Sequence, residues 1–335
     1  MLKRVIYLGY YFKRLDRSKL KRFIAHVLNT RSVSKINLWK DLISSSLIYN
    51  ISILDYFYFK FYNLTTSEKE TYAGTGYMYE YQVIMNPKDE RDILEDKLLF
   101  LKEYSRFVSH RYISKNEFLS NETLAQELLN NKSGKIVLKS SDGQCGEGIV
   151  IINVNEMDKK EVIKKIKASD NDLIEEFIVQ QDRLMELSPS GLNTIRIFTQ
   201  LTKNDEVEIL GTRLRITLNS YVDNLAAGNI AAPIDEETGM VNGPAVYSDI
   251  TKQDEEKHPI TGITIVGFQV PFWKESMQMA KEAALLHKEN RSIGWDIAIT
   301  NKGPELLEGN HNWCKLLWQL PVKQGLKARL EKYIE

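Results

Sequence analysis

The chain has 335 residues, of which 43% are hydrophobic and 27% charged, and its formal net charge is zero. That composition belongs to a globular protein long enough for roughly two domains or one multi-lobed enzyme. No uninterrupted apolar run of 18 residues and no signal-peptide pattern occurs, which argues against a spanning or exported chain, and the two cysteines, Cys145 and Cys314, exclude a disulfide scaffold and fit a reducing cytoplasm.

The zero net charge conceals an asymmetry. Residues 1–40 hold eleven Lys/Arg against one acid, Asp16, so the remainder is net acidic by about ten charges. Val5, Ile6, Tyr7, Leu8, Tyr10, Tyr11 and Phe12 interleave with the basic residues. Such an arm can rest on an anionic membrane surface, or it can be a helical extension with a solvated basic face. It carries no recognised nucleic-acid motif, and positive charge alone is non-specific, so no nucleic-acid partner is expected.

Residues 1–85 read as mostly helical, with Leu38, Leu42, Ile43, Leu47, Ile48 and Ile51 at helical spacing. The aromatic cluster at residues 55–62 is expected to pack against the body of the protein. After Asn86-Pro87, Asp89 can cap a helix running to about Arg106, and a second helix is expected from near Ser120 to about Asn131. From residue 134 the texture changes. Residues 135–139 and 149–152 read as strands, 155–168 as a helix with a very basic face, and 172–178 as a closing strand. Longer strands follow at 193–201, 206–217 and 263–270, then an amphipathic helix at 274–290. Gly294-Trp295-Asp296-Ile297-Ala298-Ile299-Thr300 reads as a strand, residues 301–304 as a turn, and 305–308 as the returning strand. Alternation along the two strands can put Asp296 and Glu308 on one sheet face. With Asn310 they form a hard oxygen set suited to Mg²⁺ carrying nucleotide phosphates.

Two further segments carry chemistry. Lys139 ends one strand, and Gly143, Gly146 and Gly148 lie in the loop before the next. Such a hairpin can fold over phosphates, offering backbone N–H groups and one ammonium, although it is not a P-loop because no Gly-Lys-Ser/Thr follows and a strand comes next. Leu173-Ile174-Glu175-Glu176-Phe177-Ile178 can present a donor/acceptor pair to an adenine edge. Among the five histidines, His26, His110, His258, His287 and His311, no zinc spacing appears. His258 beside Pro259 is expected to shape a turn, and the two cysteines lie on site loops where incidental thiols outnumber nucleophiles.

The order of these segments resembles the ATP-grasp superfamily, most closely its sugar-transfer-associated branch found among polysaccharide-biosynthesis proteins. The carriers are Asp96-Lys97, Lys139 with Gly146-Glu147-Gly148-Ile149, Glu175-Glu176-Phe177-Ile178, Asn193-Thr194-Ile195-Arg196, Asp223-Asn224, His258-Pro259, Gly294-Trp295-Asp296 and Glu308-Gly309-Asn310. The resemblance implies an α+β fold in which two lobes clasp ATP, with a mostly helical N-terminal extension. It divides the chain into a basic helical region (1–85), a helical linker (86–133), a small lobe with the glycine-rich loop (134–180) and a large lobe with the metal site and acceptor pocket (181–335). It further implies that Lys97 and Lys139 contact ATP phosphates beneath the loop of Gly143, Gly146 and Gly148, and that Glu175, Glu176 and Ile178 line the adenine pocket. Asp296, Glu308 and Asn310 would hold one or two Mg²⁺, with Mn²⁺ an alternative. Arg196 or Arg213 would stabilise the transferred phosphoryl group, and Asn193 and His311 would border the acceptor.

The chain departs from the family pattern at three places. Ser140 stands where many relatives have proline, Gln181 stands near where many have a ribose contact, and His311-Asn312-Trp313-Cys314 replaces a common Pro-Gly turn. The last change suggests a flat, sugar-like acceptor against Trp313. The implied activity is a cytoplasmic carboxylate–amine ligase of surface-polysaccharide assembly, peripheral at the membrane's inner face. It would join a hexuronic acid or amino acid to an amine or amino sugar through an acyl phosphate. A saccharide phosphotransferase and a nucleotide-binding scaffold are the alternatives.

Overall fold

The computed structural model describes residues 2–143 and 148–334. Six helices open the chain: α1 (Leu2–Lys13), α2 (Arg17–Thr30), α3 (Lys35–Tyr49), α4 (Ile53–Tyr58), α5 (Thr66–Glu70) and α6 (Thr75–Met85). Asp16, Ser34, Ser52 and Thr65 cap α2 to α5, each accepting a backbone N–H from the first turn. Leu20, Phe23 and Val27 of α2 and Leu38 and Leu42 of α3 point inward. They meet Tyr56, Phe57, Phe59 and Phe61 from the aromatic cluster in one core that also takes in Ile250, with Leu316 and Leu320 packed against it. The aromatic cluster therefore packs the extension onto the body, as expected. Of the α3 register, Ile48 is exposed and Ile51 lies beyond the helix end, because Asn50 takes a left-handed conformation (φ 54°) and stops the helix.

The expected helix from Asp89 to Arg106 is broken. Asp96 leaves helical geometry to cap a new helix, accepting the Leu99 N–H at 2.9 Å, so α7 (Asp92–Glu95) and α8 (Lys97–Glu103) are separate. The next stretch is not wholly helical either. It supplies a three-residue strand, β1 (Tyr112–Ser114), before α9 (Lys115–Ser120) and α10 (Glu122–Leu129), the latter capped by Asn121 rather than Ser120.

Strands β2 (Lys135–Lys139) and β3 (Val150–Asn153), helix α11 (Lys159–Ala168) and strand β4 (Leu173–Glu176) follow. They form an antiparallel sheet in the order β1-β4-β2-β3. Period-two alternation sorts its faces. Ile136, Leu138, Ile152 and Ile174 enter a core with Phe118, Leu128, Val162 and Ile166 from the flanking helices. The opposite face carries Glu175, in register with Tyr112 and Val137, and Lys139 two residues along β2.

Helix α12 (Asp182–Leu187) leads into β5 (Thr194–Leu201), β6 (Val207–Ile216) and β7 (Ile230–Pro233), then α13 (Trp273–Ala284), β8 (Ser292–Thr300), β9 (Gly303–Asn310), α14 (Lys315–Gln319) and α15 (Ala328–Glu331). The second sheet is antiparallel, in the order β7-β6-β5-β8-β9. Ile195, Ile197, Leu214, Trp295, Ile297 and Leu306 bury one face with Ala280 and Ala283 of α13. Residues 263–270, expected as a strand, make only isolated bridges, because Gly262 and Gly267 take positive φ (74° and 83°) and turn the chain. The helix expected to reach residue 290 ends at Ala284.

Asp55, only 1% exposed, holds the extension to the body. One carboxylate oxygen accepts from Ser52 N at 3.0 Å and from the Thr75 amide and hydroxyl at 2.8 and 2.7 Å, while the other pairs with Lys315 Nζ at 3.1 Å. Asp55→Ala strands the half-buried Lys315 ammonium and two amides, so we expect a loss of about 3 kcal/mol, read as a lower urea midpoint at unchanged slope. A loss under about 1 kcal/mol would contradict this anchoring role.

Candidate active site

A cavity of ≈ 310 Å³ is lined by Lys97 and Gly143, by Arg196 and Arg215, by Glu308, Asn310 and His311, and by Lys19 and Tyr58 from the N-terminal helices. Its polar floor is the second face of the large sheet. Arg196 faces Arg213 on β6 and Asp296 on β8, and Asp296 faces Glu308 on β9. The register shifts between Asp296 and Ile297: Ile297 pairs with Leu306 but Asp296 pairs with Glu308, so the extra residue Leu307 is what brings the two carboxylates opposite each other.

Asp296 is 3% exposed and clamped by two guanidinium groups. Arg196 grips both carboxylate oxygens, with Nη2–Oδ2 at 2.7 Å, and Arg215 Nη1 donates to Oδ2 at 2.7 Å. Burial alone would raise the Asp296 carboxyl, but Arg196 and Arg215 outweigh it and hold the group well below the usual carboxylate range. Arg215 Nη2 also pairs with Asp223 Oδ1 at 2.7 Å, while its buried Nε has no partner among the described residues. Gly294 is required beside this clamp: a Cβ there would meet Trp313 Cβ at 2.8 Å and the Arg196 side chain at 3.2 Å.

Glu308 is in the opposite condition. Burial, then the neighbouring Asp296 charge, raises its pKa, and its Oε1 accepts from Asn310 Nδ2 at 3.1 Å. Among the described residues no Lys or Arg lies in ion-pair contact with it. Asp296, Glu308 and Asn310 do come together, and a divalent cation would relieve the charge on Glu308, so the donor set fits Mg²⁺. Asp296 would have to share its oxygens with the arginines. No group of three or more His, Cys, Asp or Glu forms a metal cluster among the described residues, since the third oxygen is an amide.

The small-sheet residues gather nearby. Lys97 begins α8, and its ammonium donates to the carbonyls of Ser140 (3.2 Å) and Gly143. Burial lowers its pKa, and it feels Glu308, Lys139 and Glu175. Lys139 pairs with Glu175. The Glu176 amide donates to the Arg111 carbonyl at 2.8 Å, and Ile178 lies half-buried just past the end of β4. Gly148 takes φ 72° at the far end of the loop, and Gly146 and Cys145 lie outside the described residues.

Three expectations need correction. Arg213 shares the Arg196 face but is turned to α14, donating to the Trp318 and Thr212 carbonyls, so it is unavailable to a phosphoryl group. Arg215, one alternation further on, is the second arginine of the cavity. Asn193 is fully buried, its amide bonded to Gln180 (3.1 Å) and Ser188 (2.9 Å) and its oxygen accepting the Thr217 N–H (2.9 Å), so it latches the strand entrance and borders no acceptor. Trp313 borders the cavity but is a core residue, 2% exposed and packed on Phe198 and Trp318 at 5.0 and 5.1 Å between centroids, so it does not stand out as an exposed flat wall. His311 does line the cavity, held by Glu95 at 2.9 Å. His258 accepts backbone N–H groups of its own turn, as expected.

One group passed unnoticed in the sequence. His110 is buried between Glu175 Oε1 (3.4 Å) and Glu305 Oε2 (2.9 Å). Burial disfavours its charge, yet the two carboxylates raise its pKa to about 9, and Glu175, which also meets Lys139, falls to about 2. A histidine raised from 6.5 contributes stability that is complete below its unfolded pKa and lost as pH rises through about 9. Unfolding midpoints should therefore fall between pH 6.5 and 9.5 in the natural protein, and His110→Gln should flatten that decline while lowering stability by about 3 kcal/mol at the acidic end. Equal slopes in both proteins would contradict the buried imidazolium.

Residues 77–335 match the sugar-transfer associated ATP-grasp family. No curated protein sequence matches the chain significantly. Solved structures with similar shape include the ATP-grasp ligase PsnB with its minimal precursor (11% identity, 75% of this chain, 62% of that one, TM-score 0.44). Others are an L-amino acid ligase from Bacillus licheniformis (14%, 71%, 49%, 0.39) and a D-alanyl-alanine synthetase A from Vibrio cholerae (13%, 70%, 61%, 0.40). The chain spans less than two thirds of the length of each. On the family match over most of its length, the chain belongs to the sugar-transfer associated ATP-grasp family.

Proposed function

We propose that the protein is an ATP- and Mg²⁺-dependent carboxylate–amine ligase of surface-polysaccharide assembly, joining an amino acid or amine to a hexuronic acid or other sugar. The observation that carries this reading is the single polar face on which Arg196, Arg215, Asp296, Glu308 and Asn310 meet Lys97 across one cavity. Metal-bound ATP, when present, supplies the phosphoryl group that turns a carboxylate into an acyl phosphate open to attack by an amine. The chain's own residues then have distinct tasks. Lys97 and Lys139 neutralise phosphate oxygens, and glycine-loop amides cover them. Glu308 and Asn310 hold the cation, with Asp296 sharing in it. Arg196 and Arg215 meet the transferred phosphoryl group with planar, fixed donors, and the unpartnered Nε of Arg215 is a donor still to be satisfied. Glu175, with the carbonyl of Glu176 and the side chain of Ile178, lines the base pocket. No covalent nucleophile is needed, because charge neutralisation and positioning suffice.

The basic arm favours action at an anionic membrane surface. In α1, Val5, Ile6 and Tyr10 are at least half exposed beside Lys13 and Arg14. Among the described residues no helix is long and apolar enough to cross a membrane. Val5→Asp with Ile6→Asp should cut co-sedimentation with phosphatidylglycerol vesicles several-fold, and unchanged sedimentation would remove the membrane part of the reading.

Glu308→Gln removes a strained buried charge, so it should fold at least as well as the natural protein while losing substrate-dependent phosphate release by about a hundredfold or more. Asp296→Asn should lose turnover similarly, but with a stability cost because two buried guanidinium groups are left under-neutralised. Retained turnover in the double variant would sink the assignment, and a product heavier by one phosphate would replace the ligase with a kinase.

A further inference from the structure

The family match begins at residue 77, yet two residues of the cavity wall, Lys19 and Tyr58, precede it. They belong to helices fixed on the large lobe. Arg22, one turn beyond Lys19 on α2, pairs with Asp249 at 2.9 Å, next to the cavity residue Ser248. Phe23 packs edge-on against Tyr58 with centroids 5.7 Å apart, and both join the core that includes Ile250. This wall is therefore built into the fold and is not a loose arm laid over the opening.

The other cations near this wall are already answered by carboxylates: Arg22 by Asp249, Lys315 by Asp55 at 3.1 Å, and Arg215 by Asp223 and Asp296. Lys19 makes no ion pair among the described residues. Asp16, whose charge Lys19 feels, uses its carboxylate on the Lys19 backbone N–H (2.9 Å) and the Ser18 hydroxyl (2.8 Å). The Tyr58 hydroxyl has no hydrogen-bond partner among the described residues. Burial, then the charges of Asp55, Asp16, Cys314 and Asp249, pushes its pKa up to about 12, so it stays a neutral phenol able to donate. An ammonium with no ion pair and a phenol O–H with no partner among the described residues, in a wall that also includes Ser248 and Asn224, suit an anion attached to a hydroxyl-rich body. On the ligase reading ATP does not need them, since Lys97 and Lys139 would meet its phosphates.

We infer, building on the ligase reading, that the N-terminal helices complete the acceptor end of the cavity and that Lys19 and Tyr58 bind an anionic group, phosphate or carboxylate, on an acceptor saccharide. These two residues then set acceptor specificity without touching the reacting atoms.

Calorimetric titration of the full chain, saturated with Mg²⁺ and a non-hydrolysable ATP analogue, tests this with glucose 1-phosphate, glucuronic acid and glucose as probes. We expect at least one anionic sugar to bind about tenfold more tightly than glucose. Lys19→Glu should abolish that preference, Lys19→Arg should keep it and Tyr58→Phe should weaken it several-fold, all with unchanged affinity for the nucleotide analogue. Which of the two anionic sugars binds identifies phosphate or carboxylate as the group. Equal binding of glucose and both anionic sugars, or a Lys19→Glu variant that binds them as the natural protein does, would overturn the inference. Failure of the ligase reading alone would show differently, as absent turnover with Lys19-dependent binding intact.

Discussion

The structure turns on one buried carboxylate held by two arginines. Asp296 on β8 is gripped by Arg196 from β5 and Arg215 from β6, and Arg215 reaches on to Asp223 in the loop before β7. A buried ion pair is costly to desolvate and adds little net stability, so such a chain of four charges is better explained by positioning than by folding energy. Its consequence lies one strand away. With the arginines committed to Asp296, Glu308 has no ion-pair partner among the described residues, and its carboxyl is driven toward protonation. The site is thus short of positive charge at one point and rich in directed guanidinium donors beside it. A metal-bound polyphosphate would bring the missing cation and take up the donors together.

The two sheets supply the rest by the same device. Each buries its apolar residues on one face and turns its charged residues to the cleft: Lys139 and Glu175 of the small sheet and Arg196 and Asp296 of the large one come from alternation, and the bulge at Leu307 turns Glu308 to the same side while Leu306 stays in the core. Lys97 bridges them, starting a helix whose cap, Asp96, breaks what would otherwise run as one helix, and bonding to the carbonyls at the mouth of the glycine loop. His110 sits behind, tying Glu175 to Glu305 on β9 and so joining the small sheet to the strand that carries Glu308. The N-terminal helices complete the enclosure through an aromatic core and Asp55.

Much of this was legible in the residues, for physical reasons that also explain the omissions. The strand at 135–139 and the hairpin of Asp296 and Glu308 announce themselves by alternation between turn residues, but it is a bulge, invisible to alternation, that sets Glu308 opposite Asp296. Alternation also puts Arg213 and Arg215 on one face, but only packing decides that α14 takes Arg213 and leaves Arg215 to the cavity. Asn193 looked like a site residue because its neighbours are, but its side chain is buried in hydrogen bonds of the strand entrance, and Trp313, though it borders the cavity, is spent on core packing; a one-dimensional motif encodes neither. His110 had no signal at all, since its partners lie 65 and 195 positions away. β1 is three residues long, too short for any period to register. The failed strand at 263–270 shows the reverse error, apolar residues individually buried in a segment that two glycines keep turning.

The central claim, that this charge arrangement activates a carboxylate, is tested most directly by the fate of oxygen. Pooled uronic acids and amino acids, labelled with ¹⁸O in the carboxylate, would be incubated with the protein, ATP, Mg²⁺ and amino sugars, and the released phosphate analysed by mass spectrometry. Passage through an acyl phosphate leaves one carboxylate oxygen on the phosphate, so phosphate carrying a single ¹⁸O is the result we predict. Substrate-dependent phosphate release with no ¹⁸O in the phosphate would contradict the account.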